Sequence, residues 1–150
     1  MTAPAVERQT FAGRLVLLGL GRMDEAQASL EESRAVWRSL PPEAARSMAP
    51  ELAQTSARLA LRLGRPAAAL EALAASPALA GAGPGLAPDN LRETALRSSA
   101  LSLQGDDEGA RAAAQAAVDA LSASALRDRY GALEADVLLP LARALTALGR

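Results

Sequence analysis

A glycine turn recurs at a nearly fixed interval along this chain of 150 residues, and it limits what the chain can become. The clearest copy is Leu20-Gly21-Arg22-Met23-Asp24-Glu25-Ala26, and a second is Leu63-Gly64-Arg65-Pro66-Ala67-Ala68-Ala69. A looser third is Gln104-Gly105-Asp106-Asp107-Glu108-Gly109-Ala110, and a fourth begins at Leu148-Gly149-Arg150. The glycines stand 43, 41 and 44 residues apart. A repeat in this range marks stacked supersecondary units, none of which can bury its apolar face alone.

Each copy is expected to end one helix and begin the next. Glycine takes the left-handed conformation that stops a helix at little steric cost. Asp24 suits an N-cap, and Glu25 suits the positive end of the helix that follows. Asp106 and Asp107 repeat that chemistry, and Pro66 fits a first helical turn, where no backbone donor is needed. Five residues after each glycine stands an alanine, Ala26, Ala69 or Ala110, small enough to let two helices approach closely. Four and five residues before each glycine the chain is apolar, as at Leu59 and Ala60 or Ala144 and Leu145. That spacing puts both residues on the inner face of a last turn.

Composition supports helices throughout. Half the residues are apolar, yet the aromatics are only Phe11, Trp37 and Tyr130, so the core must be built from Ala, Leu and Val. Ala and Leu are strong helix formers. All 16 basic residues are Arg, with no Lys or Ile, which reads as the codon bias of a GC-rich bacterial genome. The net charge of −1 argues against a dedicated nucleic-acid binder. Without Cys or His there is no thiol chemistry and no common transition-metal site. The apolar run from Leu15 to Leu20 is too short for a membrane span or signal segment. A soluble bacterial protein of the cytoplasm is expected, with no cofactor and no membrane partner.

The helices are expected at Pro4 to Leu20, Asp24 to Leu40, Pro50 to Leu63, Pro66 to Ala75, Asn90 to Gln104, Asp107 to about Leu121, and Ala125 to Gly149. Ala26, Leu30, Ser33, Trp37 and Leu40 share one face of the second, with Trp37 read as a packed residue rather than a binding anchor. A short helical turn is expected at Glu43 to Met48, after the break at Pro41-Pro42. The Pro66 to Ala75 helix reads as buried on most sides. Asp89 reads as the cap of the next helix, and Pro140 should kink or split the last one. Residues 76–88, with three glycines and three prolines, form the one long loop, and they show no phosphate-binding spacing.

The turn residues Gly21, Asp24, Glu25 and Ala26 resemble the tetratricopeptide repeat, as do Gly64 with Ala69, and Gly105, Asp107, Glu108 and Ala110. The period exceeds that family's usual length of about 34. The family's aromatic positions on the first helix hold Thr10, Ala53, Thr94 and Leu138 here. The resemblance implies an all-α fold in which antiparallel helix-turn-helix repeats stack as a short right-handed superhelix of about seven helices. One domain would span 1–150, in units of roughly 4–40, 42–76 and 89–122 with a terminal capping helix at 125–149. A fragment cut from a longer array would look the same.

No set of side chains suggests catalysis. Glu31-Glu32 reads as solvated helix surface and Asp106-Asp107 as capping, and no nucleophile motif surrounds any serine. The family's usual site is instead a groove lined by the first helix of each pair. Carrying its groove positions across gives Arg8, Phe11, Leu15 and Leu18 in the first unit. The second gives Glu51, Gln54, Arg58 and Leu61, with Arg62 adjacent. The third gives Arg92, Ala95, Ser99 and Ser102, and the fourth Asp136, Leu139, Arg143 and Thr146. Arginines on one such face would suit carboxylates of a protein or peptide partner, through bidentate hydrogen bonds. The same arginines would equally suit a solvated surface, paired with Glu51, Glu93 and Asp136. The resemblance thus implies a non-catalytic interaction scaffold that binds an acidic peptide or helix. A self-assembling homodimeric unit is the alternative, as is a regulatory repeat domain of a larger bacterial regulator.

Overall fold

The computed structural model describes residues 20–76, 88–122 and 131–149. They form six helices: α1 Met23–Ser39, α2 Pro42–Arg62, α3 Pro66–Ala74, α4 Pro88–Leu103, α5 Asp107–Ser122 and α6 Gly131–Ala147. No strand occurs among the described residues, so the fold is all-α. Seven helices are expected from the sequence; the first, Pro4 to Leu20, lies outside the described residues but for Leu20, a turn residue. None of the helices is long and apolar enough to cross a membrane.

The four turn glycines, Gly21, Gly64, Gly105 and Gly149, all have positive φ, between 66° and 83°. After α2, the Arg65 N–H donates to the Ala60 carbonyl at 2.8 Å and the Gly64 N–H to Leu61 at 3.1 Å. After α4 the same pair recurs, from Asp106 to Leu101 at 3.0 Å and from Gly105 to Ser102 at 3.0 Å. These are the two bonds of a glycine C-cap, and they satisfy carbonyls that the helix end would otherwise orphan. A new helix starts two residues beyond each of the first three glycines, at Met23, Pro66 and Asp107.

Several local expectations need correcting. Asp24 is not an N-cap: α1 is capped at Arg22 without a side-chain bond, and Asp24 sits inside the first turn. There its charge still favours the helix dipole. Asp89 likewise lies within α4, which begins at Pro88, because proline's fixed φ already suits a first turn. The residues from Glu43 to Met48 and the helix expected to start at Pro50 are one helix, α2. Pro42 opens it, and Ala44 and Ala45 carry it forward. Pro50 lies inside it and has no N–H to offer the Arg46 carbonyl. One turn earlier, the Trp37 indole N–H donates to the Ala45 carbonyl at 2.8 Å and ties α2 to α1. Pro140 is also carried inside α6 and does not split it. α3 is not buried on most sides: Ala69 and Leu73 are buried while Ala67, Ala68 and Ala74 are exposed. Alanine exposes so little apolar surface that a one-sided helix tolerates it.

The core is strung along the chain. Ala26 and Leu30 of α1 meet Leu52 and Leu59 of α2, with half-buried Trp37 packed against them. Ala57 and Ala60 of α2 then meet Ala69 and Leu73 of α3 and Ala100 of α4. Leu91 and Ala95 of α4 meet Ala117 and Leu121 of α5. The alanines that follow the glycines are buried: Ala26 is 2% exposed, and Ala69 and Ala110 are 0% exposed. At Ala110 the carbonyl also accepts the buried Ser98 hydroxyl, at 2.7 Å, which joins α4 to α5.

Helix neighbours follow a rule. α2 packs on α1, α3 and α4, and α4 packs on α2, α3, α5 and α6. α2, α4 and α6 therefore touch in series, whereas the backbones of α1, α3 and α5 do not come close to one another among the described residues. A cleft of about 170 Å³ between α1 and α3 is lined by Leu30, Arg34, Ala68 and Ala72.

Candidate functional site

Residues one helical turn apart share a face. On α2, Glu51, Gln54, Thr55 and Arg58 have that spacing, and all four line a cavity of about 740 Å³. On α4, Arg92, Ala95, Leu96 and Ser99 line the same cavity, and on α6 Leu139, Pro140 and Arg143 do so. The α4 set is the α2 set moved by 41 residues, and the α6 set is displaced by a further 44. Those are the separations of Gly64, Gly105 and Gly149. The glycine turns thus set the phase of each helix, and equal phase brings equivalent positions to one wall.

The cavity combines positive charge with a partly apolar floor. Arg58, Arg92 and Arg143 reach it from three helices. Arg58 and Arg92 are half-buried and Arg143 is exposed. Among the described residues, no carboxylate pairs with Arg58 or Arg143. Arginines elsewhere pair with carboxylates three residues away on their own helix, such as Arg34 with Glu31 at 2.6 Å and Arg111 with Glu108 at 3.0 Å. Glu93, weighed as a surface partner for the arginines, is fully buried and accepts the Ser76 hydroxyl at 2.7 Å. Gln54 and Thr55 are buried polar groups on the α2 wall, and the Ser99 hydroxyl donates to the Ala95 carbonyl of its own helix at 3.2 Å. The size falls in the range of about 300–1,000 Å³ that is usual for ligand clefts.

Of the groove candidates read from the sequence, the structure brings Gln54, Arg58, Arg92, Ser99 and Arg143 to this cavity. Arg62 is exposed on α2 and is not part of its lining. Arg8, Phe11 and Leu15 lie outside the described residues. Leu61, Ser102 and Thr146, the last positions carried over in their units, do not line it either. Thr55, Leu96 and Pro140 line the cavity but were missed. Spacings of three and seven were followed along each helix, while the fourth residue, equally close on a helical face, was passed over.

Comparisons with protein-family models, with curated proteins and with solved structures find no match to the chain.

Proposed function

We propose that the chain is a non-catalytic interaction module, a tetratricopeptide-like array whose groove binds a carboxylate-bearing peptide or helix of a partner protein. The observation that carries this reading is the meeting of Arg58, Arg92 and Arg143, from three different helices, at one cavity. Guanidinium groups pair with carboxylates by bidentate, charge-assisted bonds, and a partly enclosed wall strengthens them relative to open surface. The serial contact of α2, α4 and α6, against the separated α1, α3 and α5, supports a stack curved toward the α2–α4–α6 side. That curvature is what a superhelical array would have, with the groove on its inner face.

The test is a nuclease-treated pull-down from native lysate, comparing the wild type with Arg58→Glu/Arg92→Glu. Circular dichroism and thermal unfolding establish that the variant is folded. A protein retained by the wild type and lost by the folded variant is the expected result. Equal capture by both would sink the groove.

Exposed apolar surface on α6 favours a second reading, self-assembly: Leu138 is 43% and Leu139 is 53% exposed. Light scattering over a range of concentrations separates the two. Self-assembly requires a mass that rises with concentration and falls back to the monomer with Leu138→Arg.

A further inference from the structure

A second face of α2 carries Ala49, Leu52, Ala53 and Ser56, again at helical spacing. These residues lie two positions, and so about 200°, out of phase with Glu51, Gln54, Thr55 and Arg58, on the side of α2 away from the groove. There they line a cleft of about 210 Å³, walled by Arg34, Trp37 and Arg38 of α1 and by Ala72 and Ala75 at the end of α3. α3 has 9 residues where α1 has 17 and α5 has 16, so about two turns that the other units possess are missing beside it. The repeat itself does not demand an apolar floor: 41 residues on, the same four positions of α4 are Asn90, Glu93, Thr94 and Arg97.

We infer that this cleft binds a small apolar carboxylic acid, a short aliphatic chain or a single aromatic ring that carries one carboxylate. The polar groups inside it are already committed. The Trp37 indole N–H donates to the Ala45 carbonyl at 2.8 Å. The Ser56 hydroxyl donates to the Leu52 carbonyl at 2.7 Å and accepts from Arg34 at 3.2 Å, and Arg34 also pairs with Glu31. A sugar or an amide would give up its hydrogen bonds to water there and regain few. Arg38 differs: it is exposed and, among the described residues, has no hydrogen-bond or ion-pair partner. An apolar body on Leu52, Ala53 and the Trp37 ring therefore goes with a carboxylate at Arg38. Size bounds the class. A cavity of about 150 Å³ holds a benzene ring, so the ligand has about six to eight carbons, and a helix roughly 10 Å across is too large.

Trp37 is the chain's one tryptophan, so its fluorescence reports on the cleft. The probes are butanoate, hexanoate and phenylpropionate, with hexanamide as the uncharged control, each titrated at neutral pH. Hexanoate and phenylpropionate should give saturable changes. Each methylene added between butanoate and hexanoate should tighten binding about fourfold. Arg38→Gln, at an exposed position, should weaken hexanoate about fivefold and leave hexanamide unchanged. Ala72→Met fills the cleft and, with its fold verified by circular dichroism, should remove the response to both. Arg58→Glu/Arg92→Glu, on the other side of α2, should change nothing, which separates this site from the groove. If no probe gives a saturable change in the wild type, the site is overturned. If butanoate and hexanoate bind alike, or Arg38→Gln treats the acid and the amide alike, the assigned chemistry is overturned.

Discussion

Ser76, at the end of α3, donates its hydroxyl hydrogen to Oε1 of Glu93 on α4 at 2.7 Å, and both side chains are buried. The bond holds the chain just beyond α3 against α4. Removing the carboxylate with Glu93→Ala takes away the acceptor of this buried bond and leaves a hole. The expected loss is about 2–4 kcal/mol in urea unfolding. Glu93→Gln keeps a carbonyl oxygen for Ser76 and should cost clearly less. Equal losses in the two variants would mean that the acceptor role is not what fixes this corner.

The start of α5 offers a sharper double-variant test. The Asp106 carboxylate caps the helix by accepting the Gly109 N–H at 2.9 Å. A Cβ on residue 109 would collide with that carboxylate. Gly109→Ala should therefore gain helix propensity of about 0.5–1 kcal/mol and lose a cap of similar worth, leaving stability nearly unchanged. Asp106→Ala alone should cost about 1 kcal/mol, but almost nothing once residue 109 is alanine. Additive effects in thermal unfolding would show that the cap survives the substitution.

Much of this architecture could be read from the chain because one physical signal repeats. A glycine that must take positive φ, followed five residues later by an alanine that must be buried, fixes where helices stop and how closely they pack. The groove inherited its legibility from the same period, which puts Arg58, Ser99 and Arg143 at one equivalent position before Gly64, Gly105 and Gly149, while Arg92 stands where α2 carries Glu51. Local chemistry was less legible where two residues compete for one role. Asp24 and Asp89 look like caps, yet the helices begin before them, because Arg22 can serve as a backbone cap and Pro88 as a first-turn residue. Glu93 looked like a surface ion-pair partner. Tertiary packing around α4 buries it, and no local pattern carries that information.

Pro50 gives the last prediction. It lies inside α2, denies the Arg46 carbonyl its donor and faces the cavity. A proline in a helix interior is worse than alanine by about 3 kcal/mol. Its stiffness in the unfolded chain returns roughly 0.4–1 kcal/mol of that difference. Relief at this site is also incomplete, because α2 is tied to α1 only one turn earlier by the bond from Trp37 to the Ala45 carbonyl. Pro50→Ala should therefore stabilise the protein by about 1–2 kcal/mol, seen as a higher urea midpoint with an unchanged m-value. Pro50 is also part of the cavity lining, so if the proposed groove binds a peptide, its affinity should fall even as stability rises. A variant that is more stable and binds as well as the wild type would show that the proline does not shape the groove.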